Sequence, residues 1–250
     1  MTRMIAAALL AATAIAPGAA QQPQPPADAA APTASGQSPQ PAYRAGDYPF
    51  LLFVPRGYDD DRRQTWPLMI FLHGSGERGA DVQRVATWGP PKIVAQHPGT
   101  PMLIVSPQLP ADADWDVATL ERLLADIRRR YRVDPSRIYL TGLSLGGIAS
   151  WRWAIAHPDL FAALAPVAAE TPIRRACLLK DLPIWAFHGD DDGAVPVRGG
   201  FEMVEAVRAC KGSVKPRLTV YPATDHFSWI PAYDDPAFWR WIAEQRRPAR

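Results

Sequence analysis

The sequence lacks an excess of charge of either sign, and it contains few cysteines. Lysine and arginine number 27 and aspartate and glutamate number 25 among 250 residues, so the formal net charge is only +2. A chain this nearly neutral has no strong field for a phosphate backbone, and we expect no nucleic-acid partner. Two cysteines are too few for a disulfide scaffold or a four-cysteine zinc site. Hydrophobic residues nevertheless make up 48%, which excludes a wholly disordered chain.

The amino-terminal region lacks an apolar run long enough to cross a membrane. Its apolar run, Met4–Ala16, is shorter than the ~20 residues that a membrane-spanning helix needs. Arg3 precedes this run and the small residues of Gly18–Ala20 follow it, a pattern typical of a secretory signal peptide over residues 1–20. We therefore expect a periplasmic or secreted protein without a stable membrane anchor.

Large apolar residues are also missing from residues 21–42, which are rich in proline, glutamine, alanine and serine. Such a segment cannot bury enough apolar surface to offset its chain entropy. The composition therefore predicts a disordered linker over 21–42, followed by one folded domain over 43–250.

Short apolar runs alternate with helical patterns along that domain. The predicted strands are Phe50–Val54, Leu68–Leu72, Met102–Val105, Ile138–Thr141, Ala163–Val167, Ile184–Phe187 and Leu218–Tyr221. The predicted helices are Val117–Tyr131, Leu145–Ala156, Phe201–Cys210 and Ala237–Gln245, with a further broken helix within Asp81–Gln96. Alternation of strands and helices predicts the α/β class, with a single, doubly wound, mostly parallel sheet covered by helices on both faces.

One serine lies in the pattern Gly142-Leu-Ser-Leu-Gly146, between a predicted strand and a predicted helix. G-x-S-x-G in this context is typical of a sharp turn that projects a nucleophilic serine from the edge of a sheet. Both flanking residues must be small because side chains there would collide with the turn. We predict Ser144 as a nucleophile and the backbone N–H of Leu145 as one donor to an oxyanion.

A serine hydroxyl needs a neighbouring base, and the chain has five histidines. His157 lies roughly 20 Å from Ser144 along the same predicted helix, which is too far. Three others are interpreted as structural or loop-shaping residues: His73, His97 and His188. His226 is the last histidine, in the loop after the last predicted strand, and we predict it as the base because such folds follow the order serine, acid, histidine.

The acid is expected between Ser144 and His226, after the end of a strand. Asp190, Asp191 and Asp192 follow a predicted strand in succession, and spacing alone does not choose among them. Asp225 is a weaker alternative, because side chains adjacent in sequence rarely face each other.

A second oxyanion donor is expected in the glycine-rich loop His73-Gly-Ser-Gly-Glu-Arg-Gly79. Its glycines allow the backbone to approach a ligand closely. A phosphate-binding P-loop is excluded because the G-K-[ST] signature is missing. We predict the N–H of Ser75 as the donor, with that of Gly76 as the alternative.

Together these motifs resemble the α/β-hydrolase superfamily. More narrowly, they resemble secreted bacterial enzymes of the carboxylesterase/phospholipase-like, polyhydroxybutyrate-depolymerase-like and feruloyl-esterase-like kinds, and related serine peptidases. The matching stretches are Phe71–Gly79, Gly89–Lys92, Tyr131–Gly147, Trp185–Gly189 with Val195-Pro196, and His226–Trp229. The resemblance implies that the acid is the residue three positions after His188-Gly189, which is Asp192, and it supports Ser75 as a donor. Asp225 departs from the glycine common at its position.

The resemblance implies an exported serine hydrolase that cleaves small or polymer-derived carboxylic esters through an acyl-enzyme intermediate, without a metal or other cofactor. Two alternatives are a serine peptidase of short peptides and a polymer-binding module without activity. Trp88, Trp115 and Trp229 lie in predicted loops and are candidates for contact with substrate. Cys177 and Cys210 are expected to pair in an oxidising compartment.

Overall fold

A computed structural model describes residues 35–248 and places eight strands in one sheet, in the order β1-β2-β4-β3-β5-β6-β7-β8. The strands are β1 Gly36–Gln40, β2 Phe50–Val54, β3 Trp66–Leu72, β4 Leu103–Pro107, β5 Val133–Leu143, β6 Ala163–Val167, β7 Trp185–Gly189 and β8 Arg217–Tyr221. β2 runs antiparallel to both of its neighbours, whereas all pairings from β4 to β8 are parallel. The predicted α/β class with a mostly parallel sheet is confirmed.

Helices cover both faces of this sheet. They are α1 Gly89–Gln96, α2 Val117–Arg130, α3 Leu145–Ala156, α4 Val197–Ala209, α5 Trp229–Asp234 and α6 Pro236–Glu244, with 3-10 helices at Ser75–Glu77, Val82–Thr87 and Ile173–Leu179. Side chains of α2, α3 and α4 share one buried cluster with alternate strand residues. Those of α1, α5 and α6 share a second cluster with the intervening strand residues. The two clusters therefore define two faces, which we call the α3 face and the α1 face.

Each strand predicted from an apolar run is present, and β2 and β6 have the predicted bounds. All seven residues of β3 are buried, as an uninterrupted apolar run predicts for a strand covered on both faces. The predicted break within Asp81–Gln96 falls between the 3-10 helix at Val82–Thr87 and α1. Pro90 and Pro91 lie in the first turn of α1, where a missing N–H costs nothing.

The predicted linker is wrong at its carboxyl end. Gly36–Gln40 forms β1 and pairs residue by residue with β2. Backbone pairing at a sheet edge needs no apolar side chains, and an edge strand tolerates Pro39, so composition carried no signal for β1. The predicted signal peptide and the linker up to residue 34 lie outside the described residues.

A disulfide joins the two cysteines that the sequence contains. Cys177 lies in the 3-10 helix Ile173–Leu179 and Cys210 caps the carboxyl end of α4, with their Cα atoms 5.3 Å apart. The bond ties the segment between β6 and β7 to the helix that follows β7. Within residues 35–248, no helix combines the length and the apolar character that a membrane crossing requires.

Candidate active site

Ser144 lies in a strained turn between β5 and α3. Its backbone has φ 51° and ψ −121°, a conformation that residues with side chains rarely adopt. A Cβ atom at Gly146 would lie 2.0 Å from the carbonyl oxygen of Leu72, and one at Gly142 would lie 2.5 Å from that of Gly146. The two glycines therefore permit the turn, which presents the Ser144 hydroxyl above the carboxyl ends of the strands.

The structure brings Ser144, His226 and Asp192 into one chain of contacts. His226 follows β8, and its Nε2 lies 2.9 Å from Ser144 Oγ, close enough to accept the hydroxyl proton. The opposite ring nitrogen, Nδ1, lies 2.8 Å from Asp192 Oδ2 and donates to it. The Asp192 side chain is fully buried, whereas that of His226 is 21% exposed. The histidine is therefore open to solvent while the carboxylate stays shielded from water.

The carboxylate that meets His226 is the one that the resemblance implied. Asp192 follows β7, and its Oδ1 accepts hydrogen bonds from the amides of Ala194 and Val195. Burial opposes its charged form, but the bonds from His226 and from these two amides outweigh burial and hold the pKa of Asp192 below its usual range. Asp192 is therefore ionised beside the imidazole at neutral pH.

The rival carboxylates face elsewhere. Asp190 Oδ1 accepts from the amide of Thr224 at 3.4 Å, and Asp225 Oδ1 accepts from the amide of Phe227 at 2.9 Å. Asp225, the weaker alternative for the acid, thus binds the backbone of the loop that carries His226 and does not contact the His226 ring.

Sequence reasoning missed a second histidine at the acid. His188 was interpreted as a loop-shaping residue, and the structure buries it at 1% exposure. Its Nε2 donates to the carbonyl of Val195 at 2.8 Å and lies 3.3 Å from Asp192 Oδ2. His188 therefore contacts Asp192 at the start of the turn and Val195 at its end. In the sequence, the spacing His-x-x-x-Asp was the signal that could have indicated the contact with Asp192.

The loop after β3 lies directly beside the nucleophile. A Cβ atom at Gly74 would lie 3.4 Å from the Cβ of Ser144. Ser75 is the first residue of a 3-10 helix and Leu145 is the first residue of α3. The N–H group of a first helical residue has no partner within its own helix. Both predicted donors therefore have N–H groups that the helices leave available next to Ser144.

Buried polar side chains support this loop from below. His73 Nδ1 donates to the carbonyl of Gly74 at 2.7 Å, and its Nε2 accepts from the amide of Leu109 at 3.0 Å. Burial lowers the pKa of His73 to about 4, so the ring is neutral at physiological pH. Glu77 is 8% exposed and accepts from the amide of Gly74 at 3.0 Å, and burial raises its pKa.

Trp115 belongs to this support. It is 5% exposed, its indole N–H donates to the carbonyl of His73 at 3.2 Å, and its ring meets that of His73 edge-on. The expectation that Trp115 contacts substrate is therefore not supported, because the side chain is buried and exposes too little area. Its position in a loop after β4 favoured an exposed side chain, but the tryptophan turns inward beneath the loop that follows β3.

The other two predicted tryptophans lie beside His226. Trp88, Phe227 and Trp229 form an aromatic cluster, with Trp88 6.0 Å from Phe227 and 6.4 Å from Trp229 between ring centroids. Trp229 meets the His226 ring edge-on at 5.1 Å, but it is 5% exposed, no more than Trp115, so the expectation that it contacts substrate meets the same objection. Phe227 is 45% exposed and was not predicted. Phe227 and the partly exposed Trp88 therefore supply the apolar surface of this cluster at the α1 face of the site.

The serine in its turn after β5, the carboxylate after β7 and the histidine after β8 define a class of protein. A mostly parallel sheet with these side chains in this order is the α/β-hydrolase arrangement, and the chain has that fold. Among the described residues, no three histidine, cysteine, aspartate or glutamate side chains are grouped as metal ligands would be.

Among known proteins, the chain is similar to several esterases. NocK of Nocardia uniformis subsp. tsuyamanensis, named as a candidate esterase, is 28% identical over 196 residues, which are 73% of this chain and 54% of that protein. The bifunctional acetylxylan esterase/xylanase XynS20E of Neocallimastix patriciarum is 25% identical over 132 residues, or 50% of this chain and 19% of that protein. The crystal structure of a thermostable esterase aligns with a TM-score of 0.69 at 31% identity, covering 84% of this chain and 63% of that one.

These similarities are partial. The chain spans only about half the length of NocK, at 54%. No protein-family model matches the sequence.

Proposed function

We propose that the protein is a serine hydrolase of carboxylic esters. The observation that carries this proposal is the contact chain from Ser144 Oγ through the His226 ring to Asp192, with distances of 2.9 Å and 2.8 Å. Similarity to esterases supports the same reaction class. The aromatic cluster at the α1 face suits the acyl portion of an ester.

The proposed reaction begins when Ser144 Oγ attacks the ester carbonyl carbon and its proton passes to His226 Nε2. The carbonyl oxygen becomes an oxyanion that accepts hydrogen bonds from the N–H groups of Ser75 and Leu145. Ionised Asp192 stabilises the imidazolium and holds its tautomer. Collapse of the intermediate expels the alcohol, which takes the proton from His226. His226 then takes a proton from water, whose oxygen attacks the acyl carbon. The bond between this carbon and Ser144 Oγ breaks, Oγ regains the proton from His226, and the carboxylic acid leaves.

The reaction can be tested with p-nitrophenyl acetate and butyrate. We expect turnover by the wild type and a loss of about 10⁴-fold or more in kcat for Ser144→Ala. Ser35→Ala is the control, because Ser35 is exposed and outside the site. Absence of ester turnover by the wild type, or full activity in Ser144→Ala, contradicts the proposal. Turnover of aminoacyl anilides alone indicates a peptidase, and no turnover of either substrate favours a binding module.

We further propose that the protein acts outside the cytoplasm. The charge, apolar run and small residues over 1–20 favour export, and a disulfide between Cys177 and Cys210 suits an oxidising compartment. Sequencing the amino terminus of the exported protein tests this, because a chain retaining residues 1–20 contradicts a cleaved signal.

A further inference from the structure

A charged cleft lies on the α3 face of the sheet, on the side away from the aromatic cluster. It has a volume of about 550 Å³, and the residues used below are Ile148, Arg152, Glu170, Thr171, Arg174 and Glu202. Its walls come from α3, from the segment after β6 and from the first turns of α4. These walls are close together, since a Cβ atom at Gly199 would lie 2.4 Å from Glu170 Oε2.

The cleft begins within one helical turn of the nucleophile. The amide of Ile148 donates to the carbonyl of Ser144 at 2.9 Å, and Arg152 lies one turn further along α3. Residues four apart share one stripe of a helix, and side chains lean towards its amino terminus. Arg152 therefore lies on the same stripe of α3 as Ile148, about 12 Å from Ser144 along the helix axis. Ile148 packs on the α3 face and Trp88 on the α1 face, so Ser144 lies between the cleft and the aromatic cluster.

Two cationic side chains in this cleft have no partner. Arg152 and Arg174 are exposed, and neither makes a hydrogen bond or ion pair within the part of the chain that the structure describes. Glu202 is neutralised by Arg198, whose Nε lies 2.6 Å from its carboxylate. Glu170 places one further carboxylate at the cleft. The unpaired groups therefore carry an excess of positive charge, with two guanidinium groups against one carboxylate.

We propose that this cleft binds the alcohol portion of the substrate and that this portion carries a carboxylate. Guanidinium groups pair with carboxylates through two parallel hydrogen bonds, which gives direction as well as charge. With the acyl portion on the aromatic cluster and the ester carbon at Ser144, the alcohol portion extends towards Arg152 and Arg174. This inference rests on the proposed esterase activity and names the substrate class of that site as esters of hydroxy acids.

A matched pair of esters tests the proposal. 4-Acetoxybenzoate and 4-acetoxybenzamide have the same acyl group and nearly the same shape, but only the first carries a carboxylate on its alcohol portion. Rates are divided by those of alkaline hydrolysis to correct for the two leaving groups. Arg152→Ala and Arg174→Ala are the test variants, since neither side chain has a structural partner. Arg175→Ala is the control, because Arg175 is exposed on the same 3-10 helix but does not line the cleft.

We expect each test variant to raise KM for the benzoate about threefold, the double variant about tenfold, and neither to change KM for the benzamide. The wild-type preference for the benzoate should also shrink when salt is raised to about 0.5 M. Equal effects on both esters, or equal effects of Arg175→Ala, overturn the proposal. Failure of the wild type to turn over either ester refutes the esterase activity itself, whereas turnover without discrimination refutes only the subsite.

The same carboxylate chemistry occurs in acidic sugars and in hydroxy-acid oligomers. Acetyl esters of glucuronic acid and of 3-hydroxybutyrate, each compared with its primary amide, distinguish the two sources. A preference for the carboxylate over the amide that is lost in Arg152→Ala and Arg174→Ala supports the proposal if either pair of compounds shows it. Absence of this preference from both pairs contradicts the proposal.

Discussion

His73 is a buried, neutral histidine at the centre of the support beneath the loop that follows β3. Its ring joins the amide of Leu109 to the carbonyl of Gly74, and protonation would remove the acceptor that Leu109 needs. Burial lowers its pKa from 6.5 to about 4 in the folded state. The unfolded chain therefore binds a proton between these two pH values that the folded chain does not bind.

We expect this difference to make the fold lose stability in mild acid. A folded pKa below the unfolded one stabilises the protein at pH above the unfolded value, and the stabilisation is lost as pH falls. For His73 the loss between pH 7 and pH 5 is about 2 kcal/mol in the free energy of unfolding. Urea unfolding at both pH values measures it, with His73→Gln as the comparison because glutamine has no charge to gain in this range.

Glu77 acts in the opposite direction, since its raised pKa favours the folded state as pH falls. Glu77 is present in both the wild type and His73→Gln. The difference between the pH dependences of their unfolding free energies therefore measures the contribution of His73. The same pH dependence in His73→Gln as in the wild type would contradict the assignment.

The sequence predicted some site residues better than others for local physical reasons. Ser144 and His226 could be selected as candidates because a strained turn needs glycines around the serine and because His226 is the last histidine, and the structure places their side chains 2.9 Å apart. Asp192 was not separable from its neighbours by spacing, since the direction of each carboxylate depends on hydrogen bonds within the folded turn. Trp115 was misassigned because burial of a loop side chain depends on distant residues such as His73.

At the scale of elements, the 3-10 helix Ile173–Leu179 and α4 are held together by the disulfide. Cys177 and Cys210 are 33 residues apart, and closing a loop of this length stabilises a fold by about 4 kcal/mol in the chain-entropy model. The same helix carries Arg174, so the cross-link also fixes one wall of the charged cleft.

We therefore expect the double variant Cys177→Ala/Cys210→Ala to unfold at a lower urea concentration than the wild type. The measurement is urea unfolding with and without a reducing agent. Reductant should shift the wild-type midpoint towards that of the double variant and leave the variant unchanged. A wild-type midpoint that does not respond to reductant would show that the cross-link contributes nothing to stability.

Central elements were predictable from the sequence, and the edge of the sheet was not. β2 and β6 are apolar runs buried on both faces, so composition alone marks their bounds. β1 has glutamine, serine and proline side chains and is held by backbone pairing to β2. A pattern of side chains cannot reveal a strand whose stabilisation comes from its backbone.

At the scale of the whole molecule, β1 completes the sheet by covering β2. All five residues of β2 are buried, and without β1 its outer backbone groups would be open to pairing with other chains. We expect a shortened protein beginning at Tyr43 to melt at a lower temperature and to self-associate, relative to one beginning at Ser35. Size-exclusion chromatography with light scattering at several concentrations measures this, and identical behaviour of the two proteins would show that β1 is dispensable.

The order of the strands shows which edge of the sheet lies farthest from His226 and is therefore suited to attachment to a solid support. β1 and β8 are the opposite edges of the sheet, separated by about 34 Å at the usual spacing of neighbouring strands. His226 follows β8, whereas Ser35 is exposed immediately before β1. A bead or electrode coupled at position 35 would therefore hold the protein by the edge remote from the histidine loop. Immobilised in this orientation, the β8 edge with His226 and the neighbouring aromatic cluster would face the flowing solution.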